Sequence, residues 1–85
     1  MYEWNGAKRK SNLSKHGVDF AAVEFFLWED ALVIEDSRKN YGERRFLAFG
    51  PMGARLHCMV FSVRGENIRV ISIRKANSRE VKRYG

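Results

Sequence analysis

The chain has one cysteine and one proline among 85 residues, no long apolar run, and ten acids against sixteen lysines and arginines. A lone Cys58 excludes an internal disulfide and a cysteine-based zinc cluster. Its setting in Leu56-His57-Cys58-Met59-Val60-Phe61 marks it as a small packing hydrophobe in a reducing compartment. No stretch approaches the ~18 apolar residues of a membrane-crossing helix. Glu3 and Lys8-Arg9-Lys10 precede no apolar segment, so neither a signal peptide nor an anchor is expected. A cytoplasmic location with no membrane partner is the resulting expectation. Also missing are a glycine-rich phosphate loop ending in Lys-Ser or Lys-Thr, a two-histidine metal spacing and a credible Ser-His-Asp set. Asp30, Glu35 and Asp36 read as solvated residues at strand ends, so no metal and no cofactor are called for.

What is present belongs to a folded protein. Hydrophobic residues make up 45% and aromatics 13%, and a chain of this length has room for one core that buries roughly 60–65% of its unfolded surface. Residues 1–85 are therefore read as a single domain. The formal charge of +6 and pI near 9.9 favour an anionic partner, either a nucleic acid or an acidic protein. Arginines outnumber lysines ten to six, and the planar guanidinium fork suits phosphate and carboxylate alike. A basic surface with no bound anion has the same composition.

Along the chain, Met1 to Asn5 reads as extended, with Tyr2 and Trp4 on one side, and Gly6 to His16 as a basic surface helix. Gly17 follows Lys15 and His16 as a left-handed C-cap. Asp19 is placed to cap a second helix, Phe20 to Trp28, whose Phe20, Val23, Phe26 and Leu27 recur at helical spacing. From Ala31 the texture changes to short β-branched and aromatic runs. Strands are expected over Ala31–Glu35, Arg44–Phe49, Arg55–Val63 and Ile68–Arg74, with turns at Gly50-Pro51-Met52-Gly53 and Arg64-Gly65-Glu66-Asn67. Short connections make neighbours antiparallel. Ser78 is read as the cap of a short closing helix through Tyr84. The architecture expected is α+β: a twisted four-stranded antiparallel meander, two N-terminal helices and a short C-terminal one, with the helices on one side of the sheet.

The run Arg69-Val70-Ile71-Ser72-Ile73-Arg74-Lys75-Ala76-Asn77 is the most informative segment, because a strand-like apolar stretch ends in paired cations where a phosphate can sit. Together with Trp4-Asn5, Asn12, Lys15-His16-Gly17-Val18, Phe20, Asp36, Gly42-Glu43-Arg44-Arg45, Glu80 and Tyr84, this run resembles the BrnT family of type II toxins over nearly the whole sequence. The resemblance implies a RelE-like fold and metal-free RNA cleavage that blocks translation. It also implies neutralisation by a BrnA-like ribbon-helix-helix antitoxin, with operator DNA bound only through the complex. The loop from Asp36 to Tyr41 carries Arg38 and Lys39 as a departure from that pattern.

Metal-free RNA cleavage needs a base for the 2′-hydroxyl, cations around the phosphorane and an acid for the departing 5′-oxygen. Arg74 leads the candidates for charge stabilisation, followed by Arg44, Arg45 and Arg64, all at expected strand ends, with Lys15 and Lys75 as further RNA contacts. A salt bridge from Arg74 or Lys75 to Glu43, Glu80 or Asp36 is the structural alternative. His16, Glu43 and Tyr84 are the candidates for proton transfer. His16 titrates near neutrality (unperturbed pKa about 6.5) but equally suits a helix C-terminus; Glu43 is equally suited to an arginine pair, and Tyr84 to docking of the last helix. His57 reads as packed or hydrogen-bonded. A basic groove of this kind is easily blocked by an acidic or helical antitoxin segment. The alternative function, from a different class, is a non-catalytic basic module that binds RNA or an acidic protein.

Overall fold

Backbone caps divide the chain where its sequence directs. The computed structural model describes all residues, Met1–Gly85. They form β1 (Tyr2–Glu3), α1 (Gly6–His16), 3₁₀ turns at Phe20–Phe25 and Trp28–Asp30, β2 (Leu32–Asp36), β3 (Arg45–Met52), β4 (Arg55–Arg64), β5 (Asn67–Lys75) and α2 (Ser78–Tyr84). Asn5 Oδ1 accepts from Lys8 N at the start of α1, and Gly17, at φ +70°, ends it by donating to Leu13 O. Asp19 caps the next segment through Ala21 N.

That segment is a 3₁₀ turn rather than the α-helix expected through Trp28. Phe26 is extended (φ −70°, ψ 125°), bridges Met52, and is followed by Leu27, whose N–H donates to Pro51 O. Helical backbone cannot make those strand-like bonds, so the helix stops at Phe25. The same bonds carry β3 through Gly50 and Pro51, moving the expected turn to Gly53-Ala54, with Gly53 at φ +63°. Cβ at Gly50 would stand 2.7 Å from Phe26 Cζ and 2.9 Å from the Ala31 methyl, so only glycine lets this edge close.

The sheet has five strands in the order β1-β5-β4-β3-β2 and is mixed, correcting the four-stranded antiparallel expectation. β2 to β5 form the expected meander, while β1 joins β5 in parallel, Tyr2 beside Ile68 and Glu3 beside Arg69. The rule of short connections governs only successive strands; β1 returns after most of the chain has intervened.

Register assigns the two faces. Ala48, Met59 and Ile73 lie side by side across three strands and bury against Val18, Phe20, Val23 and Phe26. The adjacent row, Phe49, Cys58 and Arg74, points the other way. There Tyr84 stacks on Phe49 at 4.2 Å and Glu80 meets Arg74, so α2 covers the second face. The helices are not all on one side, again unlike the expectation. Asn77, not Ser78, caps α2, in a capping box with Glu80.

Candidate nucleic-acid interface

α1 docks through a polar residue, not an apolar stripe. Asn12 is 6% exposed; its Nδ2 donates to Val18 O (2.9 Å) and Ile73 O (2.8 Å), and its Oδ1 accepts from Ile73 N (3.2 Å). The amide thus pairs with β5 as a neighbouring strand would, beyond the point where β1 ends. Lys8, Ser11, Asn12 and Lys15 recur at three- and four-residue spacing, so they share one helix face. With His16, Ile71 and Ser72 they line a groove of about 210 Å³. Ile71 is the extra residue in β5, since Val60 pairs with Ser72 and Phe61 with Val70; the bulge re-aims the strand beside the groove.

His16 titrates below its ordinary 6.5, first because it is partly desolvated and then because Lys15 and Arg74 lie near. A neutral imidazole among cations is a proton acceptor. Arg74 is held by Glu80 through two bonds, Nη1 to Oε1 at 2.7 Å and Nη2 to Oε2 at 2.9 Å, and remains one-third exposed. The expected alternative of an Arg74–Glu80 pair is therefore realised. Nη1 also reaches Lys75 O at 3.4 Å, which leaves Nε–H and one Nη2–H for an outside anion. Cys58, directly across from Arg74, is buried, and burial pushes its thiol up to about 11.

Further along the same face, Arg45 lies between Asp36 in β2 and the Ser62 position of β4. Its guanidinium is 4.2 Å from the Tyr41 ring centroid. Arg45 Nε and Ser62 Oγ are both buried without a partner. Asp36 is not a solvated turn residue: its side chain is 2% exposed and accepts from Arg38 Nε, Nη2 and N and from Tyr41 Oη. Arg38 holds that carboxyl far below its usual range and ties the β2–β3 loop onto the sheet.

The arginines expected to converge do not all do so. Arg44 pairs with Glu35 through Nε and Nη2 and lies over Phe46, on the other face from Arg45. Arg64 is at the β4–β5 turn, 3.9 Å from Glu43, and six residues along β4 from the position opposite Arg74, on the order of 20 Å away. Lys75 pairs in register with His57, pointing away from Arg74. Adjacent residues on a strand face opposite ways, so strand ends gather only every second cation. His16, Lys15 and Arg74 are brought together; Tyr84 shares the sheet face and row of Arg74. Lys8, Ser11 and Ser72 were missed, although the helical spacing from Lys8 to Lys15 was there to read. His57 is packed as expected, its Nδ1 2.8 Å from Arg55 O, which requires a proton on Nδ1.

A small α+β domain with a basic groove at the edge of a five-stranded mixed sheet is the class of protein that the fold and the groove define. Residues 4–80 match the family described as the ribonuclease toxin BrnT of type II toxin–antitoxin systems, and the chain belongs to that family. Among solved structures it is similar to the 1.1 Å crystal structure of the Brucella abortus ribonuclease toxin BrnT, with 31% identity and a TM-score of 0.73, covering 92% of this chain and 99% of that one. No curated protein matches the chain. No helix is long and apolar enough to cross a membrane.

Proposed function

We propose that this chain is a cytoplasmic endoribonuclease that cleaves RNA without a metal and thereby inhibits translation. In this reading the fold is RelE-like. A BrnA-like ribbon-helix-helix antitoxin holds the toxin in check, and operator DNA is bound only through that complex. The observation that carries the reading is the α1 groove, in which His16 lies with Lys8 and Lys15 and has Arg74 nearby. His16 takes the proton of a ribose 2′-hydroxyl, and the resulting oxyanion attacks the adjacent phosphorus. The P–O5′ bond breaks, leaving a 2′,3′-cyclic phosphate, while the departing oxygen gains a proton. Arg74, oriented by Glu80, and Lys15 stabilise the phosphorane charge. Tyr84 is the group assigned to proton donation. We assign Glu43 and Arg64 to their own ion pair and Arg44 to Glu35; Arg45, on the face of Arg74, extends the path of the RNA backbone there, and Lys75 adds positive charge on the opposite face. DNA lacks the attacking hydroxyl and is not cut.

The test is cleavage of single-stranded RNA in EDTA, run beside a translating extract in case the ribosome presents the substrate. His16→Ala should lose about 10²- to 10⁴-fold as a general base does, and Arg74→Ala about 10²- to 10³-fold as an electrostatic donor does. Both should keep the wild-type fold. RNA binding without fragments in either assay would favour the non-catalytic module; full activity of Arg74→Ala would remove Arg74 from the site.

A further inference from the structure

The acids of this basic protein are not spread evenly. Residues 24–36 hold Glu24, Glu29, Asp30, Glu35 and Asp36, half of the chain's ten acids, and no lysine or arginine. The same stretch holds Phe25, Leu27, Leu32, Val33 and Ile34, five of the nine large hydrophobic side chains left exposed; Phe25 is 70% exposed. Its strand, β2, is the outermost of the sheet, so one row of its N–H and C=O groups has no strand partner. Edge strands of soluble proteins usually carry lysine, proline or a bulge that blocks further pairing. Leu32-Val33-Ile34 has none of these and pairs in unbroken register with β3. Beside it Ala22, Phe25, Leu27, Met52 and Gly53 line an open apolar depression of about 590 Å³.

We propose that this edge takes an added β-strand from the antitoxin, a segment apolar at alternate positions and flanked by lysine or arginine, with one large apolar side chain seated between Phe25 and Met52. The proposal deepens the toxin–antitoxin reading given above. Sign of charge selects the occupant. RNA is repelled here. A second copy of this chain, paired antiparallel about Val33, brings no free cation to Glu29 and Asp30, because its Arg38 and Arg44 are already paired with Asp36 and Glu35. A basic-flanked strand meets both the unpaired backbone and Glu24, Glu29 and Asp30, the acids of this stretch left without an ion pair once Glu35 and Asp36 have taken Arg44 and Arg38, in the manner of strand addition to a sheet edge. The edge is separate from the His16 groove, so holding the toxin and blocking its groove are separable tasks.

The experiment uses the full chain and its purified antitoxin. Hydrogen exchange is measured on free and bound wild-type toxin, and binding is titrated for Val33→Lys and Ile34→Lys. Expected are protection of the outward β2 amides in the complex, at least a tenfold loss of antitoxin affinity in each variant, and unchanged RNA cleavage by the free variants. The exchange measurement needs no variant, so a misfolded substitution does not spare the proposal. A complex with β2 amides unprotected overturns the docking edge alone and leaves the toxin reading intact. No complex at all overturns both the edge and the antitoxin partnership. Free toxin that is dimeric, and made monomeric by Val33→Lys, overturns it in favour of a second copy.

Discussion

Asn12→Ala removes three hydrogen bonds and one structural join at once. The side chain satisfies both backbone groups of Ile73, which is fully buried, and the carbonyl of Val18, which is nearly so. Each bond contributes about 0.5–1.5 kcal/mol net, and a buried polar group left alone costs about 1–3 kcal/mol. Water can reach some of the vacated space beside the groove, so the sum falls near the low end, about 2–4 kcal/mol. For a domain of this size that is a fall in Tm of about 10–25 °C. Thermal unfolding by circular dichroism measures it. Asn12→Asp is the discriminating companion, because a carboxylate still accepts from Ile73 N but faces two carbonyls with no proton to offer. It should be no more stable than Asn12→Ala. RNA cleavage should drop in both variants even well below their Tm, since α1 is what sets Lys15 and His16 against Ser72. A Tm within about 5 °C of wild type for Asn12→Ala would refute the account of how α1 is fixed.

His16 and His57 both titrate below 6.5 when folded, so each favours the neutral form. Their stabilisation is present above pH 6.5 and is lost as pH falls through the lowered values. Cleavage should hold at pH 6.5 and decline only below it; an acid limb centred above 6.5 would contradict His16 as the base. Cys58, with its thiol near 11 and 1% exposed, should resist iodoacetamide in the native protein at mildly alkaline pH and react at an ordinary rate after denaturation; equal rates would refute its burial. Gly50→Ala should cost about 1–3 kcal/mol by overpacking against Phe26 and Ala31, and Ala31→Gly in the same chain should recover part of it, read from urea midpoints.

Local chemistry was legible where one residue decides the outcome. Gly17 had to end a helix, Asp19 had to cap, and the Gly65 turn followed from its sequence; all three stand in the structure. The meander of β2 to β5 was readable because its connections are short. The extended β1 was readable too, but its place in the sheet was not, because its partner is Ile68-Arg69, more than sixty positions away. The 3₁₀ turn escaped because Phe20, Val23 and Phe26 fit a helical stripe, and only the tertiary bond from Leu27 to Pro51 overrules it. The grouping of the candidate residues was half legible. His16, Lys15 and Arg74 were named and lie near one another, but Arg44 and Arg45 face opposite ways, and strand boundaries uncertain by one residue cannot say which points where.

Glu80 explains why an ion pair at Arg74 is compatible with work on RNA. Its Oε1 accepts both from Arg74 Nη1 and from Asn77 N, so one carboxylate joins the last strand, the turn and the cap of α2. The pair is partly exposed, and such pairs contribute little stability by themselves. Its geometric effect is larger. A free arginine must be ordered when it meets a phosphate, whereas this guanidinium is already oriented, with two N–H groups still unspent. The short helix α2, stacked on Phe49 through Tyr84, is thus the support of the cation proposed to lead the site. Arg74→Lys keeps the charge but cannot reproduce the two-point bond to Glu80. It should cut RNA far more slowly than wild type while binding it nearly as well, and equal rates would show that charge alone, without orientation, is what the site requires.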